Sequence, residues 1–240
     1  QMRSDNKGSL VWVDQNEARI VAMNLVDRSK VEVGGEEEDN WVGVAANETD
    51  VWALLPKGVQ QASWKKREMK QVIEADEFWQ TPTKIEVFAG NVYVLDSTQS
   101  EIWKYPTLGE TYGGRRRWLA AGITPDLTKV VDMRVVGDIW LLTSTGKLLR
   151  YSRGVPVAFA LEGYPYQGEE KILVDPVAMY VTENTLYVLE RGAERIVAVG
   201  QDGKFAAQYV NAEFAKADDL VVVDDKVYVL LGNVVKEFGL

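Results

Sequence analysis

The chain has 240 residues, 46% of them hydrophobic, and a net charge of −9 from 27 basic and 36 acidic side chains. It contains neither cysteine nor histidine, which excludes disulfides, thiol nucleophiles, the Ser-His-Asp triad and metal sites that depend on imidazole or thiolate. The acidic balance makes nucleic acid an unfavourable partner, because it repels the phosphate backbone. No apolar run approaches the roughly 20 residues that a membrane span needs. What remains for an enzyme is carboxylate, lysine or tyrosine acid–base chemistry and oxygen-ligated calcium or magnesium.

The first eight residues are polar and predict a tail or linker, so the folded domain is expected to begin at Ser9. Strands are predicted over residues 10–13, 19–24 and 30–33, without a clear strand before them. An open sheet edge favours aggregation. We therefore expect either residues 1–8 or chain outside residues 1–240 to cover this edge, as in a domain cut from a longer protein.

Six copies of one short phrase, an aliphatic residue, then Trp or Tyr, then further aliphatic residues, run along the chain. Their aromatic positions are 40, 41, 47, 47 and 41 residues apart, at Trp12, Trp52, Tyr93, Trp140, Tyr187 and Tyr228. Strand repeats with a period of 40 to 50 residues are typical of β-propellers, one blade per repeat. We expect these aromatic side chains to pack between neighbouring blades rather than to line a ligand channel.

The third repeat shows the pattern of one blade. Strands are predicted at residues 84–88, 92–95, 101–105 and 116–120, and a Gly90-Asn91 turn joins the first two. The last repeat has three predicted strands, at residues 219–223, 226–230 and 234–238. The fold class predicted is therefore all-β: a six-bladed β-propeller of four-stranded antiparallel meander blades over residues 9–240, with incomplete terminal blades. Within a blade we name the strands a, b, c and d in chain order, with strand a innermost.

The repeated pattern of an aliphatic residue, Tyr or Trp, Val, Leu and Asp, then a short polar loop and Arg/Glu-Ile-x-x-Tyr, resembles the NHL and YWTD class of six-bladed propellers. The resemblance covers residues 9–240, although most of the glycines that NHL repeats carry before strand b are missing. Similar propellers are ligand-sensing domains attached to bacterial Ser/Thr kinases and PPM-type phosphatases. The resemblance implies a recognition domain of a larger bacterial signalling protein, and an extracytoplasmic or cell-surface location over a cytoplasmic one.

Acidic residues recur where strand b meets the b–c loop, at Asp14, Asp96 and Glu190. They could contribute to a ring of carboxylates that binds calcium or magnesium. Since three of the six repeats carry the acid, local capping of backbone N–H groups is the favoured interpretation.

Three long d–a connections, at residues 75–82, 122–129 and 163–175, should emerge beside the b–c loops. Aromatic side chains on loops over a rigid scaffold are typical of binding surfaces, although the rings could instead cover the blades. The predicted binding residues are Trp79, Asp126, Lys129, Tyr164, Tyr166, Glu169 and Lys171. The expected ligand is a protein, a peptide or a glycan.

Three runs of charged residues have a favoured structural interpretation and a less favoured functional one. Residues 36–39 are four successive acids, and residues 65–67 and 115–117 are basic triplets beside Trp64 and Trp118. Each is interpreted as a solvated surface. The acids could instead bind a metal ion or a basic partner, and the basic triplets an anionic partner.

No catalytic motif is present, and the remaining enzymatic option is a divalent ion held by acids near the starts of strands a. The candidate ligands are Asp132, Asp175, Asp218 and Asp219. They would support a metal-dependent hydrolase or lactonase with calcium or magnesium. The favoured prediction is a non-catalytic recognition or scaffold domain without a cofactor, monomeric, with a strand-exchanged dimer as the alternative.

Overall fold

The computed structural model describes residues 1–5, 8–14, 17, 19–34, 40–167, 169, 172–232 and 234–240. The chain comprises two compact units, Gln1–Thr128 and Lys129–Leu240. Both consist mainly of β-strands, and a short 3-10 helix, Ala212–Lys216, lies in the second unit. Among the residues described, no helix has the length and apolar character to cross a membrane.

The first unit is built from three groups of strands that follow one another along the chain. Blade one contains β1 (Met2–Ser4), β2 (Ser9–Asp14), β3 (Arg19–Asn24) and β4 (Lys30–Gly34). Blade two contains β5 (Gly43–Ala46), β6 (Asp50–Leu55), β7 (Gly58–Ser63) and β8 (Lys70–Glu74). Blade three contains β9 (Pro82–Phe88), β10 (Asn91–Asp96), β11 (Glu101–Tyr105) and β12 (Arg116–Arg117).

The second unit repeats the arrangement. Blade four contains β13 (Val130–Val136), β14 (Asp138–Thr143), β15 (Leu148–Ser152) and β16 (Val155–Val157). Blade five contains β17 (Pro176–Val181), β18 (Thr185–Glu190), β19 (Arg195–Gly200) and β20 (Phe205–Val210). Blade six contains β21 (Asp219–Val223), β22 (Lys226–Leu231) and β23 (Val234–Gly239).

Every blade is an antiparallel meander in which strands adjacent in sequence are adjacent in the sheet. In the described residues, five sheets have four strands and the sixth has three. In blade three, for example, Val94 lies opposite Ile85 on one side and Trp103 on the other. The all-β, six-bladed β-propeller fold predicted from the repeats is confirmed.

The prediction of a polar tail over residues 1–8 is wrong for Met2–Ser4, which form strand a of blade one. Met2 pairs with Trp12 and is fully buried. Asp5 closes the hairpin by accepting a hydrogen bond from the backbone N–H of Ser9 at 2.8 Å. The alternative, that this segment covers the open edge of blade one, is therefore correct.

The core of each unit lies between successive sheets. Trp52 of blade two packs in one apolar cluster with Ile85 and Val92 of blade three. Trp140 of blade four packs with residues of blade five, and Tyr187 of blade five packs against the cluster shared with blade six. For these three repeats, the prediction that the aromatic side chain fills the space between blades is confirmed.

Candidate functional site

In blades three, four and five, the b–c loop meets the d–a connection that precedes the blade. In blades three, four and five, the first backbone N–H after strand b donates to the carbonyl just before or at the start of strand a. The pairs are Ser97 to Thr81 at 3.0 Å, Ser144 to Lys129 at 2.8 Å and Arg191 to Asp175 at 3.1 Å. The predicted proximity of the two kinds of loop is confirmed in these three blades.

Asp96 fixes one of these meeting points. Its carboxylate is fully buried and accepts hydrogen bonds from the backbone N–H groups of Gln80 at 2.7 Å, Thr81 at 3.1 Å and Gln99 at 3.1 Å. The capping interpretation is thus confirmed for Asp96, and it extends across the connection that precedes the blade.

Glu190, at the equivalent position of blade five, fixes the connection 163–175. Its fully buried carboxylate accepts hydrogen bonds from the Tyr164 hydroxyl at 2.7 Å, the Val174 N–H at 2.7 Å and Arg195 Nε at 2.8 Å. Arg195 in turn donates to the Pro165 carbonyl at 2.7 Å. The two ends of the connection are therefore held to blade five by one buried ion pair, which we call the Glu190–Arg195 latch.

Tyr164 belongs to this latch, and its expected exposure on a loop surface is wrong. Its side chain is buried because its hydroxyl completes the hydrogen bonding of Glu190. Burial, together with the negative charge of Glu190, raises the pKa of Tyr164 well above its usual range. Tyr166 is half-buried with its ring centroid 4.8 Å from that of Tyr164, and burial raises its pKa as well.

Beside these two tyrosines, a cleft of ≈ 620 Å³ opens between the start of β15 and the connection. We call it the blade-four cleft. Its lining consists of glycines, aliphatic and aromatic side chains and one lysine: Gly146, Lys147, Leu148, Leu149, Phe159, Ala160, Leu161, Gly163, Tyr164 and Tyr166. Its volume falls in the range of roughly 300–1,000 Å³ that is usual for ligand pockets.

A second hollow, of ≈ 400 Å³, has Leu173 in its lining. Glu169 and Asp175 are among its lining residues, and both are exposed. Of the residues predicted to bind, the structure therefore brings Tyr164 and Tyr166 to the blade-four cleft and Glu169 to the hollow beside it. Lys171 lies outside the described residues, as do the acids at 36–39.

In the first unit, Trp79 is half-buried and partly structural. Its Nε1 donates to the Tyr105 hydroxyl at 2.6 Å, with the two rings in an edge-to-face arrangement. Burial raises the pKa of Tyr105 to about 12. The neighbouring ring of Phe78 is the exposed one, at 46%, and Arg115 lies over it at 4.0 Å while pairing with Asp76 at 2.5 Å.

The basic triplet 115–117 is largely neutralised within the first unit. Besides the Arg115–Asp76 pair, Arg117 Nε donates to both carboxylate oxygens of Glu101, at 2.7 and 2.8 Å. These contacts favour a solvated outer strand over a site for an anionic partner.

Asp126 and Lys129 lie in different units. The Asp126 carboxylate accepts bonds from the N–H and the hydroxyl of Thr128, at 3.0 and 2.5 Å, which is a local turn contact. Lys129 is exposed, and its carbonyl accepts a hydrogen bond from the Ser144 N–H in the b–c loop of blade four. Binding by Trp79, Asp126 or Lys129 stays a prediction.

Three of the four acids proposed as metal ligands have other partners, and the fourth, Asp175, is exposed. Arg134 lies between the buried side chains of Asp132 and Asp219, with its Nη2 at 3.3 Å from an oxygen of each. Asp218 pairs with Arg191 at 2.9 Å. Among the described residues, no group of three or more acidic side chains converges as a metal site would require.

No protein-family model matches this chain, and no curated protein sequence matches it either. Solved structures do match. A chain in a nidogen/laminin complex has a TM-score of 0.64 at 13% identity, over 89% of this chain and 80% of that chain. Virginiamycin B lyase from Staphylococcus aureus has a TM-score of 0.64 at 12% identity, over 100% of this chain and 83% of that one.

A third match is a protein of unknown function from Bacteroides caccae, with a TM-score of 0.61 at 14% identity, over 96% of this chain and 89% of that one. At such identities the likeness shows the fold alone. The folds agree with the six-bladed propeller that the repeats predict. A likeness to kinase- or phosphatase-linked sensor domains stays a hypothesis.

Proposed function

We propose that this propeller is a non-catalytic recognition domain whose blade-four cleft binds a protein or peptide segment, with a glycan as the alternative ligand. The observation that carries the proposal is the cleft itself, with walls of half-buried Leu148, Phe159, Leu161 and Tyr166. Apolar and aromatic side chains around a concave surface are what a peptide side chain requires for desolvation.

The Glu190–Arg195 latch supports the proposal, because its buried hydrogen bonds hold the cleft wall in place. Tyr164 and Pro165 are held at one end of the connection and Val174 at the other. A wall that is already ordered costs little conformational entropy when the ligand binds.

The structural neighbours support recognition at a coarser level. One neighbour is a chain of a nidogen/laminin complex, in which two proteins bind each other. By analogy with the sensor propellers that the repeats resemble, we place this domain within a larger bacterial signalling protein, at the cell surface or outside the cytoplasm.

One of the similar solved structures is an enzyme, the virginiamycin B lyase. A variant of that enzyme in which one histidine is replaced by alanine is described as catalytically inactive. Since this chain has no histidine, it offers no side chain of that type for the same reaction. We therefore favour recognition over lyase chemistry.

The test is a selection of random octapeptides displayed on phage, and in parallel a glycan array, against the immobilised chain. Enriched ligands are then titrated against the wild type and against Ala160→Trp, which places a large ring in the cleft. Ala206→Trp is the matched control, because Ala206 is also an exposed alanine of the second unit but does not line the cleft. We expect Ala160→Trp to weaken binding at least about tenfold, a loss of roughly 1.4 kcal/mol, with Ala206→Trp unchanged. Ligands that bind both variants equally, or no enriched ligand, would contradict the proposal.

A further inference from the structure

The outer edge of β15 is covered by strand d of its blade at only three of its five residues. β16 pairs with Arg150, Tyr151 and Ser152 and leaves Leu148 and Leu149 without a strand on that side. In blade five, by contrast, strand d pairs along β19 from Arg195 to Val199. The uncovered stretch of β15 forms one wall of the blade-four cleft.

The alternation of an antiparallel ladder shows where the backbone groups of Leu148 point. The Thr143 N–H donates to the Lys147 carbonyl at 2.9 Å, so Lys147 is bonded to β14. The next residue, Leu148, lies opposite Leu142 as a non-hydrogen-bonded pair, because bonded and non-bonded pairs alternate. The N–H and C=O of Leu148 therefore point away from β14.

The pairing of β16 gives the same result independently. Pro156 lies opposite Tyr151 and has no N–H, so the backbone groups of Arg150 and Ser152 are the ones that face β16. Two residues before Arg150, Leu148 faces the same side. Within the part of the chain that the structure describes, the Leu148 backbone has no hydrogen bond to a turn or loop and no pairing with β16.

The gap exists because strand d turns away after Val157. In a continued ladder, Phe159 would lie opposite Leu148. The pairing ends at Val157 instead, and the ring of Phe159 packs edge-to-face on Trp140, at 4.9 Å between centroids. Glu162 then exchanges backbone hydrogen bonds with Gly203 and Phe205 of blade five, each at 2.9 Å. The cleft therefore lies beside the unpaired Leu148, with apolar side chains on both walls.

Lys147 adds a charge to this opening. It is exposed and is the one charged residue among the described residues that line the cleft. No ion pair of Lys147 is found among the described residues. A cation beside the apolar side chains of the cleft walls is complementary to a carboxylate placed next to an apolar side chain.

We propose that the blade-four cleft binds an extended peptide that adds a short strand to β15. The peptide backbone pairs with the N–H and C=O of Leu148, a large apolar side chain enters the cleft, and an adjacent carboxylate pairs with Lys147. This is β-strand addition, in which main-chain bonds give affinity and pockets for alternate side chains give specificity. The inference rests on the proposed function and specifies the class of ligand and its mode of binding.

The first test is an N-methyl scan of an octapeptide selected on the chain, with each backbone amide methylated in turn. Strand addition predicts that methylation at the residue that bonds Leu148 weakens binding at least about tenfold. Methylation at the two residues beside it, whose amides point away, should change the dissociation constant less than about threefold. A loss that follows no alternation would overturn the inference.

The second test reads the protein side by amide hydrogen exchange of Leu148 and Leu149, resolved by NMR. Leu149 lies opposite Leu141 in the ladder and is already bonded, so its exchange should be slow with and without peptide. The Leu148 amide should exchange fast in the free chain and at least about tenfold more slowly with saturating peptide. An unchanged Leu148 would overturn the inference.

The carboxylate is tested with Lys147→Gln and with two peptide forms. Lys147→Gln should weaken binding about three- to fivefold, and the effect should shrink in high salt. Amidation of the peptide C-terminus and replacement of its acidic side chains by amides distinguish a terminal from a side-chain carboxylate. Equal binding of all these forms would overturn this part of the inference.

The two proposals fail in different ways. If no selected peptide is sensitive to Ala160→Trp, the proposed function is wrong as stated for peptides and the inference falls with it. Suppose instead that peptides bind and Ala160→Trp abolishes binding. If the N-methyl scan then shows no alternation and the exchange rate of Leu148 is unchanged by peptide, only strand addition is wrong.

Discussion

Breaking the Glu190–Arg195 latch should be among the most destabilising changes of charge in this protein. Glu190 is fully buried and Arg195 almost so, with 2.8 Å between carboxylate and guanidinium. Glu190→Gln keeps the shape but leaves the arginine charge buried without a counter-charge, which costs about 3–5 kcal/mol. Urea unfolding followed by far-UV circular dichroism should show this as a lower midpoint with an unchanged slope.

The matched control is Glu32→Gln. The Arg19–Glu32 pair has the same 2.8 Å distance, but both side chains are 46% exposed. An exposed pair contributes at most about 1 kcal/mol, since water screens both charges. A loss at Glu190 no larger than the loss at Glu32 would refute the reasoning.

The double variant Glu190→Gln/Arg195→Met, compared with the two single variants, completes a double-mutant cycle. Removing both charges leaves no unpaired buried ion, so the double variant should lose less stability than the sum of the two single variants. Strictly additive losses would show that the two groups do not act as a pair.

Three further variants test separate parts of the structure by the free energy of unfolding. The pKa of Tyr164 is raised in the fold, so the neutral tyrosine stabilises the folded state fully below about pH 10, and this contribution is lost as the pH rises above it. Between pH 9 and 11.5, Tyr164→Phe should therefore lose stability less steeply than the wild type, and equal slopes would contradict this. A Cβ added at Gly203 (φ +90°) would lie 2.0 Å from the Ala160 carbonyl oxygen, whereas one added at Gly122 (φ +80°) would have nothing within 4 Å. Gly203→Ala should therefore lower the free energy of unfolding by about 1–3 kcal/mol more than Gly122→Ala, and equal losses would count against the contact. Asp96→Ala leaves backbone N–H groups without their acceptor and should cost about 1–3 kcal/mol, and a neutral substitution would argue against the capping role.

The blades could be predicted from the sequence because each strand b carries a continuous apolar run around its aromatic residue. The prediction failed at Met2–Ser4, where only Met2 is apolar. Arg3 occupies a buried strand position because it pairs with Glu86, at 2.9 Å. That partner lies two repeats further along the chain, and no local pattern reveals it.

The candidate site could be predicted only as a region. The connection 163–175 was chosen for its tyrosines, but the burial of Tyr164 depends on Glu190, 26 residues away. In the first unit, Trp79 and Phe78 are adjacent aromatic residues. Which of them is exposed depends on Tyr105 and Arg115, which belong to another part of the blade.

The cleft that Tyr164 and Tyr166 line was not predicted, and neither was its other wall at β15. It arises because strand d ends at Val157 and Phe159 turns onto Trp140. The one sequence signal for this is the short apolar run around Pro156. Proline has no backbone N–H and therefore cannot donate a hydrogen bond in a β-ladder. The divergence of the chain after it depends on contacts with blade five and requires the structure.

Hydrogen–deuterium exchange by mass spectrometry, with and without a saturating selected octapeptide, tests the central claim most directly. If the second unit recognises its ligand through the blade-four cleft, protection should be confined to the two walls, residues 146–149 and 159–166. Protection of the connection 75–82 in the first unit, with the cleft walls unchanged, would contradict the claim and place recognition at Phe78 and Trp79 instead.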